Sequence, residues 1–317
     1  MTKNKKIWKL NHTRNFSEKI TICAYDAGSA NHLLNTYKEN ISNTKLCLGG
    51  PALKIFENHF SDIKIYNLKD SLKDSKYLIS GTGWGSSLEH KSRKIASKNG
   101  IFNIAVIDHW VNYLERFKRV DEIILPNEIW VTDHEAAKIA CKIFSDIPII
   151  QIPNLWLDEI KSRFESIRRN SNVGFNNNLP STLLYFTEPI RTKWGDVEAG
   201  EFQSLRYFFE SLEKLSKKRF INEQEKIKEI IIKIHPSEEY SKYDKFLEKL
   251  KINFPVKIID NGDIAKSLAY SEAVFGCETQ ALVVSLSCGL PTFCTIPPFG
   301  PQCRLPHNEI IELRNIH

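Results

Sequence analysis

The feature that most constrains this chain's fold is an alternation, run through twice, of short β-prone apolar stretches with longer stretches of helical spacing. In the first series, residues 20–25, 45–48, 63–66, 77–80, 103–107, 128–131 and 149–152 read as strands, and 30–37, 52–59, 86–97 and 134–144 as helices. Strands apolar on both faces must be covered on both faces. A helix between two strands supplies that cover while returning the chain for parallel pairing. The second series has strands at 182–187, 229–234, 256–259, 273–275 and 291–294, with helices at 202–215, 242–250, 264–269 and 279–287. Between them, 158–180 is rich in Lys, Arg, Ser and Asn, and 170–180 lacks periodic apolar positions, which marks a linker. The prediction is an α/β chain of two doubly wound domains, 1–157 and 181–317, joined by linker 158–180, with 1–18 a basic tail. A length of 317 residues is enough for two cores.

The bulk numbers exclude several classes. With 42% hydrophobic and 26% charged residues the chain is neither disordered nor fibrous. Its longest apolar runs, 230–232 and 281–284, fall far short of the roughly 20 residues that cross a bilayer. The N-terminus carries Lys3, Lys5, Lys6, Lys9 and Arg14 with no apolar block behind them, so a secretory signal is not expected and a cytoplasmic protein is. That basic segment reads as a solvated tail, with peripheral contact to an anionic membrane surface as the alternative. Seven cysteines, odd in number and without a C-x-x-C pair, read as buried thiols. A net charge of +6 without an aromatic-interleaved basic ribbon argues against nucleic acid as a partner. His134-Glu135 lacks the second His of a zinc motif and no Asp-x-Asp closes a strand, so no metal and no cofactor are expected.

Open parallel sheets bind ligands beyond the carboxyl ends of their strands, so the residues that follow each strand are the candidates. After 229–234 stands Lys233-Ile-His235-Pro236-Ser237, where a rigid turn presents an imidazole able to donate to a phosphate oxygen. After 273–275 comes Gly276-Cys-Glu278-Thr279. Gly276 allows close backbone approach, and Glu278 and Thr279 stand at the start of a helix whose free N–H groups suit a phosphate. In the first series, Asp26-Ala-Gly28-Ser29-Ala-Asn-His32 follows the first strand, a tight turn leading to a His in the first helical turns. Thr82, Gly83 and Trp84 lie in a loop of three glycines and three hydroxyl residues, with Trp84 available to stack on a sugar face. Asp108-His109 ends the strand at 103–107, and Asp108 or Asp26 could serve as a general base with His32 orienting substrate. Each motif also has a structural reading: a Pro turn, a helix cap, a flexible glycine turn or a loop-closing hydrogen bond.

The His-Pro unit followed by a Thr-bearing helix start resembles the GT-B glycosyltransferases over residues 181–298. The resemblance is narrower to bacterial sialyltransferases and polysialyltransferases, Kdo-type capsule transferases and CDP-glycerol glycerophosphotransferases. It implies two Rossmann-like domains facing a cleft, and a metal-independent transferase with a nucleotide-sugar donor, CMP-linked rather than UDP-linked. The transferred sugar would be a nonulosonic or Kdo-like acid. The acceptor would be a hydroxyl of a surface glycan or of its lipid-linked precursor. His235, Pro236 and Thr279 would then hold the nucleotide, with Lys233, Gly276 and Glu278 beside them. Gly28, Ser29, Thr82, Gly83, Trp84 and His109 would face the substrate. Glu278-Thr279 replaces the paired serines of many such enzymes. The first loop is also similar to that of nucleotide-sugar epimerases and hydrolases, so a UDP-sugar 2-epimerase or a nucleotide-sugar hydrolase is the alternative, with a non-catalytic assembly subunit as a third possibility.

Overall fold

The computed structural model describes residues 8–9, 19–60, 62–171, 182–194, 197–217, 227–250, 252–259 and 262–316. Lys3, Lys5, Lys6 and Arg14 of the basic segment, and residues 172–180 of the expected linker, lie outside them. The chain divides into two compact units, Met1–Trp156 and Leu157–His317.

Unit 1 contains β1 (Trp8–Lys9), β2 (Ile20–Ala24), α1 (Ala27–Tyr37), β3 (Thr44–Leu48), α2 (Gly50–Glu57), α3 (Leu68–Leu72), β4 (Tyr77–Ser80), α4 (Leu88–Lys98) and β5 (Phe102–Val106). It continues with the antiparallel ribbon β6 (Lys118–Arg119) and β7 (Glu122–Ile123), then β8 (Glu128–Val131), α5 (His134–Ile143) and β9 (Ile149–Gln151). Its seven-stranded sheet has the order β1-β9-β8-β5-β4-β2-β3, parallel throughout. Every residue of β2 and of β8 is buried, as strands covered on both faces require. One layer of the core gathers Ile22, Leu33, Phe56, Ile104 and Trp130. A smaller cluster packs Cys23, Cys47, Leu72, Leu78 and Ala96 against α4.

Unit 2 begins within α6 (Leu155–Asn170). It then holds β10 (Thr182–Phe186), α7 (Gly200–Lys217), β11 (Glu229–Lys233), α8 (Tyr240–Leu247), β12 (Val256–Ile259), α9 (Ile264–Ala269), β13 (Ala273–Gly276), α10 (Gln280–Ser287), β14 (Thr292–Cys294) and β15 (Ile311–Glu312). The parallel sheet has the order β12-β11-β10-β13-β14-β15. Phe208, Phe275 and Phe293 stack through its core, with ring centroids 4.7 and 4.9 Å apart. Among the described residues no helix is long and apolar enough to cross a membrane.

The α/β class, with two Rossmann-like parallel sheets, is as the alternation predicts. Three segments differ. Trp8–Lys9, within the expected tail, form the edge strand β1 because their backbone pairs in parallel with Ile150–Gln151. Residues 63–66 form no strand: Ile65 makes a single bridge to Leu46, and Asn67 then accepts from the Asp70 N–H at 2.9 Å and turns the chain into α3. Residues 158–170 of the expected linker form, together with 155–157, a sixteen-residue helix instead of irregular chain. Its apolar stripe is thin, with Ile160 and Phe164 buried one turn apart. Arg168 reinforces that stripe by lying over the Phe164 ring at 4.9 Å while donating to the Ala269 and Ser271 carbonyls.

Candidate active site

In each sheet the strand order reverses beside the first central strand, and that reversal opens a crevice at the carboxyl edge. In unit 2 the reversal lies between β10 and β13, because β11 and β12 extend one way from β10 and β13 pairs on its other side. In unit 1 it lies between β2 and β4.

The unit 2 crevice is built by the ends of β10, β11 and β13. Thr187, just past β10, accepts from the His235 N–H at 2.8 Å and donates its hydroxyl to Glu238 at 2.9 Å. Glu238 also accepts from the Tyr243 hydroxyl at 2.8 Å and pairs with Lys242, so the His-Pro turn is pinned from both sides. The His235 Nδ1 accepts from the Ser237 N–H at 3.2 Å, with the Ser237 hydroxyl 2.8 Å away. Accepting at Nδ1 assigns the ring proton to Nε2, which makes that nitrogen a donor. Pro236 is exposed beside it. Lys233 lies on the same strand but donates to the Gly262 carbonyl at 2.9 Å.

Gly276 ends β13 where an added Cβ would stand 3.0 Å from the Phe186 carbonyl oxygen, so the two strand ends meet closely. Thr279 is the N-cap of α10, accepting from the Ala281 N–H at 3.4 Å. Glu278, expected to hold the donor, is only 3% exposed, and its carboxylate is engaged by Arg304. Oε1 accepts the Arg304 backbone N–H at 2.7 Å, and Oε2 accepts from Nη2 at 2.6 Å and Nε at 3.0 Å. This bond raises the affinity of the Arg304 guanidinium for its proton, and half of that side chain remains exposed. Glu278 therefore positions an arginine at the crevice. Glu188, which follows β10, accepts from the Glu278 N–H at 2.8 Å. Burial, with the Glu278 charge as a lesser cause, pushes the Glu188 carboxyl up to about 7.

In unit 1 the glycine loop after β4 is braced rather than loose. Asp26 Oδ2 accepts from the Trp84 N–H at 2.7 Å and the Gly85 N–H at 3.4 Å. Glu89, fully buried on α4, accepts from the N–H groups of Tyr25 at 2.9 Å and Gly83 at 2.5 Å and from the Ser29 hydroxyl at 3.4 Å. On the carbonyl side Arg93 donates to Gly81 at 2.7 Å, and Arg119 donates to Gly83 at 2.6 Å. A Cβ at position 83 would fall 1.9 Å from Asp26 Oδ2, and one at position 81 would fall 2.3 Å from Glu89 Oε1, so two carboxylates dictate the glycines. Burial first, and then the neighbouring Asp26, pushes Glu89 up to about 7. Burial lowers Arg93 to about 10.

Of the remaining expected residues, Trp84 is 49% exposed and open for stacking, with the Arg119 guanidinium 5.6 Å from its ring centre. Thr82 is fully buried and donates to the Val106 carbonyl at 3.0 Å, so it shapes the loop floor. Ser29, beside Gly28 in the first turn of α1, is likewise buried against Asp26 and Glu89. Asp108 Oδ1 is 3.0 Å from Arg116 Nη1, in a pair with little solvent exposure. His32 is 3% exposed and packs edge-on to Trp156 at 5.3 Å. Burial lowers it to about 4, against a weaker opposing pull from Asp108, which keeps it neutral at pH 7. The His109 ring packs against Trp110 at 5.5 Å. Structure thus gathers Asp26, Gly83 and Glu89 into one cluster, and Thr82, Asp108 and Arg116 into a second. Glu188 was legible in sequence, since it directly follows a strand. Arg304, Arg116 and Glu89 carried no strand-end signal, because each reaches its cluster from a helix or loop further along the chain.

No protein-family model matches the sequence, and no curated protein matches it at a significant level. Solved structures do resemble it. The UDP-GlcNAc 2-epimerase from Methanocaldococcus jannaschii aligns with TM-score 0.52 at 14% identity, covering 87% of this chain and 83% of its own. The UDP-N-acetylglucosamine 2-epimerase from Rickettsia bellii gives 0.54 at 12% identity, covering 87% and 78%. S. aureus MnaA, in a structure with UDP, gives 0.57 at 10% identity, covering 87% and 79%. At these identities the likeness shows the fold, the GT-B architecture of two doubly wound units.

Proposed function

We infer that this chain is a nucleotide-sugar enzyme that acts on the sugar of a UDP-linked substrate, as a 2-epimerase or hydrolase does. The observation that carries this is the donor set at the unit 2 crevice: the His235 ring with its proton on Nε2, the Arg304 guanidinium anchored on Glu278, and the capped N-terminus of α10. These groups match an anionic diphosphate, which they would hold and whose charge they would stabilise as the glycosidic bond loosens. The likeness to two UDP-sugar 2-epimerases and to a UDP-bound protein supports uridine over cytidine.

In unit 1, Asp108 is the proton-transfer group on this reading, held in place by Arg116. Neutral His32 contributes shape and dipole instead of charge. Asp26 serves the glycine loop, because its Oδ2 accepts two of that loop's N–H groups.

Incubation with UDP-N-acetylglucosamine alone in D2O, followed by proton NMR, tests the inference. Deuterium entry at C2 or release of free UDP is the expected result. Substrate that persists unchanged without an acceptor would sink it.

The second reading is a transferase moving a nonulosonic or Kdo-like sugar from a CMP-linked donor to a glycan or lipid-linked hydroxyl without a metal. The His235-Pro236 turn with its Ser237 bond favours it. CMP-sugar consumption that requires an acceptor and survives EDTA is its signature.

A further inference from the structure

A cavity of about 550 Å³ opens between α4 and the β6–β7 ribbon, entirely within unit 1, and the proposed chemistry makes no use of it. His90, Lys91 and Lys94 line it from α4, with spacings of one, three and four residues that put them on one side of the helix. Arg119, Asp121 and Glu122 line it from the ribbon. The turn itself is strained, since Val120, a β-branched residue, is held at φ 52° and also borders the cavity.

The charges in this cavity do not cancel: Lys91, Lys94 and Arg119 stand against Asp121 and Glu122, which leaves one positive charge in excess. Lys94 pairs with Glu122 at 2.8 Å, while Lys91 and Arg119 enter no ion pair among the described residues. Arg119 donates only to backbone carbonyls, among them Gly83 and Lys118, so its charge has no carboxylate partner. His90 is only 4% exposed, yet neither ring nitrogen has a hydrogen-bond partner among the described residues. Glu122 Oε2 stands 3.6 Å from Nε2, beyond hydrogen-bond reach. A buried imidazole with no hydrogen bond, lining a cavity in which positive charge is in excess, is suited to receive an anion.

We propose that this cavity is a phosphate site that takes a phosphomonoester, whose oxygens accept from His90 and Lys91 while Arg119 supplies balancing charge. The single positive excess calls for an anion, and the tetrahedral oxygens of a phosphate can accept from the helix and the ribbon at once, which the two coplanar oxygens of a carboxylate do less well. Arg119 also donates to the Gly83 and Ser86 carbonyls, so an occupant of the cavity bears on the glycine loop.

The test is calorimetry on the full chain with inorganic phosphate and with glycerol 3-phosphate, alongside flotation with phosphatidylcholine vesicles carrying phosphatidic acid. Saturable one-to-one binding is expected. Lys91→Glu, a substitution at an exposed position that leaves the core untouched, should weaken it by at least about ten-fold. Binding of the soluble phosphates alone identifies a free metabolite as the occupant. Flotation that inorganic phosphate reverses identifies a lipid headgroup, and either result supports the site. UDP affinity measured in the same variant should be unchanged, which keeps this proposal separate from the nucleotide reading. The proposal is overturned if no probe binds, if Lys91→Glu binds phosphate as the parent does, or if that variant loses UDP and phosphate together.

Discussion

At the scale of single residues, the two crevices differ in what their polar groups are committed to. The Nδ1 of His235 is fixed by Ser237, which leaves Nε2–H as the donor. His235→Ala should therefore weaken UDP binding by roughly 1.5 to 3 kcal/mol, the range for a hydrogen bond to a charged acceptor. Titration calorimetry reads this directly, and unchanged affinity would make the turn purely structural. Asp108 is committed on one oxygen to Arg116. Asp108→Asn keeps an oxygen for that contact but cannot take a proton, so turnover should fall by roughly 10² to 10⁴-fold with UDP affinity preserved. An active Asp108→Asn enzyme would move the proton transfer to another group.

At the scale of elements, the loop after β4 behaves as one object because carboxylates hold its N–H groups and arginines its carbonyls. Gly83→Ala would drive a methyl into Asp26 and should destabilise unit 1 by about 1 to 3 kcal/mol, measurable by denaturant unfolding. The same loop has a pH signature. The Glu89 carboxyl is raised from 4.5 to about 7 on folding, so between those values the folded chain holds a proton that the unfolded chain has released. Its contribution to stability is thus complete below about pH 4.5 and is lost as pH rises towards 7. Glu89→Gln should flatten that decline. Glu188 in unit 2 titrates in the same window and should leave part of it in place. If the variant's stability falls with pH as steeply as the parent's, Glu89 is not the group titrating.

At the scale of the whole molecule, UDP should raise the melting temperature more than CMP at equal concentration, since at a given concentration stabilisation grows with the logarithm of the ligand's affinity for the folded state. A larger shift with CMP would restore the cytidine reading. The sequence by itself determined the architecture, because alternation of strand and helix periods is a local property: which faces are apolar dictates which faces are covered. It also pointed to the strand ends, since Gly276 closes a strand and His235, Asp26 and Asp108 each lie two residues past one. Tertiary structure alone decided what those residues do. Glu278 has its carboxylate engaged because Arg304, 26 residues later, folds back onto it. Thr82 and Ser29 are drawn inward by a carbonyl on β5 and a carboxylate on α4. The glycines at 81 and 83 leave room for the carboxylates of Glu89 and Asp26. A side chain's role depends on which long-range partner reaches it first, and no local period encodes that partner.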